Sequence, residues 1–268
     1  MNEYERGIVP ISEFPIVGKV FRELDLAIGK KGLPVASRDF ILEHGSKLEV
    51  VGRTREVEGI LKNEPVLVVA NHEHEVETMA LYAALLQRDD IFTVGVAALQ
   101  GIGPNFSEHL MPVYVRPSSV DPSEMKLSSR IGRALNLGTD MPENAHELNK
   151  ASIDRAAQTI SDGGLVIMFP SGARKKNIWS PGVGHLMTNI NKDCGAYIVK
   201  AHIKGASDLD FLRLIPGLKR LMPPLKVTFG KPRRVIDYFK EEVKPKELVA
   251  QLQDEYTEWL EQKDLVRE

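Results

Sequence analysis

Two histidines and three glutamates fall within six residues, His72 to Glu77, directly after the apolar run Pro65 to Ala70. Imidazole and carboxylate are side chains that pass protons, and together they also ligate metals. A second reactive group lies further along, where the apolar run Leu165 to Phe169 enters Pro170-Ser171-Gly172-Ala173-Arg174-Lys175-Lys176. Gly172 lets backbone approach a ligand closely, and Arg174 can grip a phosphate through its planar fork. Taken alone, this turn reads equally as a solvated basic loop.

The first cluster admits three readings. As a metal site, His72-x-His74 opens like the HxHxDH pattern of metallo-hydrolases, but Val76 and Glu77 stand where Asp and His are needed. HExxH fails too, because its second histidine would have to stand at position 76. As an acid/base pair, His72 and Glu77 would point about 140° apart on one continuous helix. They can meet if His72 stays in the loop and the helix begins near Glu73 or His74. A carboxylate on one ring nitrogen then fixes the tautomer while the other nitrogen takes a proton from a substrate hydroxyl. In the third reading, Glu73, Glu75 and Glu77 simply favour a helix N-terminus electrostatically. His74, His109 and His185 receive no chemical role.

Positioning these groups requires buried strands ending where they begin. Short apolar runs at Leu48–Val51, Val66–Ala70, Phe92–Ala98, Val113–Val115, Leu165–Phe169, Tyr197–His202 and Leu225–Phe229 read as strands. Helical periodicity fills Glu75–Leu86, Ala145–Ile160 and Lys246–Leu260. The alternation predicts an α/β fold, a mostly parallel central sheet covered by helices. In such sheets, sites form beyond the C-terminal ends of strands, which is where Asn71-His72 and Pro170-Ser171-Gly172 both fall. Two short helices, Val20–Lys30 and Val35–His44, are expected upstream, split by Gly29 to Gly32 and Pro34. The chain thus divides into a small N-terminal helical segment, 1–45, and an α/β domain, 46–268.

Composition bounds the partners. The 268 residues carry a formal net charge of −2, giving no reason to expect nucleic acid. A single cysteine, Cys194, excludes an intrachain disulfide framework and a CxxC zinc site, and points to a reducing, cytoplasmic compartment. No run approaches the ~18 apolar residues that span a bilayer, and Met1 to Arg6 lacks the pattern of a signal peptide. The stretch Phe211 to Lys226 is apolar and basic with no acid, so it reads either as a segment lying on an anionic lipid surface or as a loop packed on the core. The N-terminal helices read likewise as a docking platform or a core extension.

Taken together, Asn71-His72-x4-Glu77 and Phe169-Pro-Ser-Gly-x-Arg174 resemble the paired blocks of the glycerophospholipid acyltransferase family, NHxxxxD and a block of the FPEGTR or PSGGR type. The family includes lysophosphatidic acid and glycerol-3-phosphate acyltransferases. Leu48 to Gly52, Met111 to Arg116 and Phe229-Gly-Lys-Pro232 are similar to further blocks in the same order, so the resemblance runs from about Leu48 to Pro232. There are two departures: Glu77 replaces the family's aspartate, and Ser171 replaces the glutamate of FPEGTR. Serine stands there in the PSGGR form, which favours a small, phosphate-bearing acceptor.

The resemblance implies transfer of a fatty acyl group from a thioester, on coenzyme A or acyl carrier protein, to a hydroxyl of glycerol-3-phosphate or 1-acylglycerol-3-phosphate. His72 would be the general base and Glu77 its orienting carboxylate. Arg174, with Lys175 or Arg116, would bind the acceptor phosphate, and Ser171 and Gly172 would supply the turn around it. No metal or redox cofactor is implied, and the enzyme would sit in the cytoplasm or peripherally at a membrane. Two alternatives are a weak or inactive lipid-binding homologue and an acyltransferase with another lipid acceptor. On this reading, Glu77→Asp keeps or raises the rate.

Overall fold

The protein is described here from a computed structural model, covering residues 18–44, 47–72, 74–115, 141–172, 178–207, 209–214, 222–239 and 243–265. Among these, eight strands form one sheet: β1 (Leu48–Val51), β2 (Val66–Ala70), β3 (Ile91–Val96), β4 (Leu110–Val113), β5 (Leu165–Met168), β6 (Tyr197–Lys204), β7 (Leu225–Phe229) and β8 (Arg233–Arg234). Their spatial order is β1-β7-β6-β2-β5-β3-β4, with β8 paired to β6. Every pairing is parallel except β6 with β7 and β6 with β8. The expected α/β class and mostly parallel sheet are therefore what the chain forms.

Helices cover both faces. On one face lie α1 (Gly18–Lys31), α2 (Leu33–Glu43), α3 (Arg55–Asn63), α4 (Glu75–Ala84) and the short α5 (Pro104–Glu108). Their apolar side chains share a cluster with Val66, Val68, Ala70 and Ile167. On the other face α6 (Ala145–Ser161), α7 (Gly182–Asn189) and α8 (Pro245–Gln262) pack on Leu67, Val69, Val166 and Met168. Successive residues of β2 thus feed opposite cores, and every one of them is buried, as the unbroken apolar sequence of a two-sided strand requires.

The N-terminal helices belong to the first of these cores. Leu24, Ile28, Leu33, Ala36 and Ile41 join the cluster that contains α4, and Arg38 donates to the last carbonyls of α4, Ala83 and Leu85. For the described part of the segment, the core-extension reading is the one that holds. The break between the two helices is at Gly32 alone, whose φ is 78°. Gly29 lies inside α1, and its missing side chain makes room for Asn105.

Two further differences have local causes. The strand expected at Val113–Val115 lies earlier, at Leu110–Val113, and contains Pro112. Proline lacks a ladder donor and is confined to sheet edges, and β4 is an edge strand. The helix α3 was not anticipated, although Thr54 Oγ1 caps it by accepting from Val57 N–H and it buries Val57, Ile60 and Leu61.

The order of connections creates a crevice. From β2 the chain passes through α4 on the first face to β3, on the far side of β5. From β5 it passes through α7 on the second face to β6, on the far side of β2. Two adjacent strands whose exits leave over opposite faces make a topological switch point, and ligands of open α/β sheets bind there.

Candidate functional site

Strands β2 and β5 run level, Val69 pairing with Met168, so Asn71-His72 and Phe169-Pro170-Ser171-Gly172 emerge side by side at that switch point. The His72 and Phe169 rings lie 4.9 Å apart at an interplanar angle of 39°. Gly172 has φ 57°, which favours a residue without Cβ; its N–H closes a turn onto Phe169 O at 3.0 Å, and among the described residues, its chain neighbours aside, no atom lies within 4 Å of where a Cβ would stand. Ser171 and Gly172 are both half-buried.

Helix α4 begins at Glu75 with His74 as its N-cap, leaving His72 in the loop. Glu77 is at the third helical position, where a glutamate bends back towards the cap. Its Oε2 accepts from His74 N–H at 3.0 Å, and Oε1 accepts from Asn71 Nδ2 at 3.4 Å. The same Oε2 lies 3.7 Å from His72 Nδ1, an ion-pair distance once the ring is protonated. Glu77 is 3% exposed and His72 22% exposed, so the carboxylate is enclosed while the imidazole keeps one side open. With Nδ1 turned to Glu77, Nε2 is the ring nitrogen that would take a proton from a substrate hydroxyl.

Asn71 fixes the loop that carries His72. Its side chain grips the backbone of the neighbouring strand, Nδ2 donating to Ile203 O at 3.0 Å and Oδ1 accepting from Ile203 N–H at 2.7 Å. Its own backbone N–H donates to Tyr256 Oη at 3.2 Å, and that hydroxyl donates in turn to Ala201 O at 2.7 Å. Burial, with a smaller contribution from the Glu77 charge, pushes the Tyr256 phenol well above its ordinary range. Tyr256 therefore stays a neutral donor.

Of the predicted site residues, the structure brings together His72, Glu77, Ser171 and Gly172. Arg116, Arg174 and Lys175 lie outside the described residues. Trp179, just beyond the basic turn, is buried against Tyr256, with ring centroids 5.3 Å apart. Arg213, counted among the cations of the apolar-basic stretch, is 3% exposed and bonds to Asp210, Gly205 O and Pro223 O. Its charge is therefore turned into the protein rather than towards a lipid surface. Residues 215–221 of that stretch lie outside the described residues. Among the described residues no helix is long and apolar enough to cross a membrane, and no three His, Cys, Asp or Glu side chains form a group fit for a metal ion.

Sequence reasoning gave Asn71 no task and did not single out Tyr256. Asn71 offered a signal, being a polar amide placed where a buried strand ends. Tyr256 offered none, because its partner stands 185 residues away in the chain.

A family model described as Acyltransferase matches residues 50–222, more than half of the chain. Among solved structures, the chain is similar to the 1-acyl-sn-glycerophosphate (LPA) acyltransferase PlsC of Thermotoga maritima, with 17% identity over 91% of this chain and 79% of that one, at a TM-score of 0.46. No curated protein matches the chain.

Proposed function

The chain belongs to the Acyltransferase family, and from that premise we propose that it moves a fatty acyl group from a thioester to a hydroxyl of glycerol-3-phosphate or 1-acylglycerol-3-phosphate. The observation that carries the proposal is the pairing of His72 with the enclosed Glu77 carboxylate, at 3.7 Å, beside the turn that Phe169 begins.

The acceptor oxygen attacks the thioester carbonyl carbon as its proton passes to His72 Nε2. Glu77 holds the Nδ1 side and stabilises the imidazolium. When the tetrahedral intermediate collapses, the carbon–sulfur bond breaks and the thiolate leaves, taking the proton back as a free thiol. The products are an ester and the thiol of coenzyme A or acyl carrier protein. A thioester is already an activated acyl donor, so the balance needs no further reactant. The left-handed turn at Gly172 lets backbone approach a developing oxyanion or phosphate oxygens closely, while the Gly172 N–H itself is engaged by Phe169 O. Arg174, Lys175 and Arg116 are assigned to the acceptor phosphate on the resemblance of their blocks. Because the thioester donor and the product carry acyl chains, as does 1-acylglycerol-3-phosphate, peripheral contact with a membrane in the cytoplasm is part of the proposal.

The test is thiol release from acyl-CoA or acyl carrier protein thioester in the presence of each acceptor. Turnover is expected with a glycerol phosphate acceptor, and His72→Ala is expected to lower kcat by ~100-fold or more. A wild-type protein that turns over no acceptor, or only aminolipids, overturns the assignment. Full activity in His72→Ala overturns the mechanism.

A further inference from the structure

The family match ends at residue 222, yet helix α8, at Pro245–Gln262, reaches back to the candidate site. We propose that Tyr256 is a positioning residue for His72, acting through the hydrogen bonds of its hydroxyl to Asn71 N–H and Ala201 O. The inference rests on the reading of His72 as the base, and it assigns a task to a part of the chain beyond the matched span.

Ala70 and Ala201 are the last registered pair between β2 and β6. Past them the chain must leave the sheet to present His72, and the next backbone donor, Asn71 N–H, has left the regular ladder. Tyr256 fills the gap: one hydroxyl takes the Asn71 proton and gives its own to the Ala201 carbonyl, bridging the ends of both strands. A buried backbone amide needs such a partner, and a water-filled gap here would free the loop to move. The phenol is itself wedged between Trp179 and Trp259, with ring centroids 5.3 and 5.5 Å away. Its position is therefore set by packing and not by the loop it holds. Asn71 then passes the constraint on, since its side chain bonds both Ile203 and Glu77. Backbone and carboxylate partner of the histidine are thus tied to one phenol.

Tyr256→Phe removes only the oxygen and keeps the ring between the two tryptophans. We compare it with wild type, with His72→Ala, with the double variant, and with Tyr238→Phe. Tyr238 is also a buried phenol, bonded to Glu255 away from the site. For Tyr256→Phe the expected result is a ~10- to 100-fold fall in kcat with little change in acceptor KM, as displacement of a catalytic group by a fraction of an ångström produces. In the His72→Ala background the same change should cost no further rate.

A readout independent of turnover follows the His72 ring by NMR, with its signals assigned by their loss in His72→Ala. Among the described residues, Glu77 of α4 is the carboxylate facing that ring, His74 caps the same helix, and Phe169, just after β5, presents its ring. When the loop slackens the His72–Glu77 contact lengthens, so His72 should titrate at lower pH in Tyr256→Phe and unchanged in Tyr238→Phe. Unchanged titration in Tyr256→Phe overturns the proposal, as does an equal loss of rate with and without His72. If no acceptor is turned over, the functional reading falls by itself, and the titration still decides the role of Tyr256.

Discussion

One methylene distinguishes Glu77 from an aspartate, and the start of α4 uses it. At the third helical position the longer side chain turns back far enough to accept from the N-cap amide of His74 while its other oxygen meets Asn71 and its Oε2 faces His72. An aspartate there is too short to hold the cap and the imidazole together. The geometry thus argues against the expectation that Glu77→Asp keeps or raises the rate. Glu77→Asp should lower kcat and lose about 1 kcal/mol of stability with the cap. Glu77→Gln keeps the reach and loses the charge, so it should separate the two effects: near-native stability by urea unfolding with kcat down ~10-fold or more. Equal rates for Glu77→Gln and wild type would remove the carboxylate from the chemistry. His72 and Glu77 could be read from the sequence because they lie close together in it. Their supports, Ile203 and Tyr256, are 132 and 185 residues from Asn71, and no local pattern announces a contact closed only by the fold.

At the scale of elements, periodicity identified strands that are buried on both sides and helices with one apolar face. It failed where an edge changes the rules. The apolar run Val113–Val115 placed β4 too late, because Pro112, which lacks a ladder donor, is tolerated inside an edge strand. Gly52 shows the opposite case, a residue whose need for glycine comes from another strand. It ends β1 with φ 76°, and a Cβ there would stand 2.2 Å from the carbonyl oxygen of Phe229, the last residue of β7. The two blocks Leu48–Gly52 and Phe229–Pro232 therefore meet in space, because β1 and β7 pair in parallel. Gly52→Ala should destabilise by about 2–4 kcal/mol, combining left-handed strain with a backbone collision. The urea midpoint measures this, and kcat per folded molecule should stay at the wild-type value because β1 lies at the far edge of the sheet from His72. A wild-type midpoint would show that the strand end moves aside without cost.

For the whole molecule, the sheet must keep partly buried polar residues on β6 while serving a site at its rim, and this makes stability depend on pH. His202, on β6 next to the Asn71 clamp, is pushed down to about 4 by burial and by the neighbouring Lys204 charge. Its Nδ1 is buried without a hydrogen-bond partner. The unfolded chain binds a proton on this histidine near pH 6.5, and the folded chain does so only near 4. Between those values the unfolded state holds more protons, so stability falls as pH drops from 6.5 towards 4 and this contribution levels off below. The loss by pH 4.5 is at most ~2–3 kcal/mol. Carboxylates act in a different window. Arg88 holds Asp90 below its usual range, and the bonds from Tyr238 and Arg233 outweigh burial to do the same for Glu255. Both contribute fully above the unfolded carboxylate value and lose that contribution only as pH falls below it. Urea midpoints at pH 7 and pH 4.5 separate them: His202→Gln should abolish most of the difference that wild type shows, while Glu255→Gln should lower stability at both. If wild type and His202→Gln lose the same stability over that range, the histidine is not the group that titrates, and the polar face of β6 is solvated in a way its burial does not indicate.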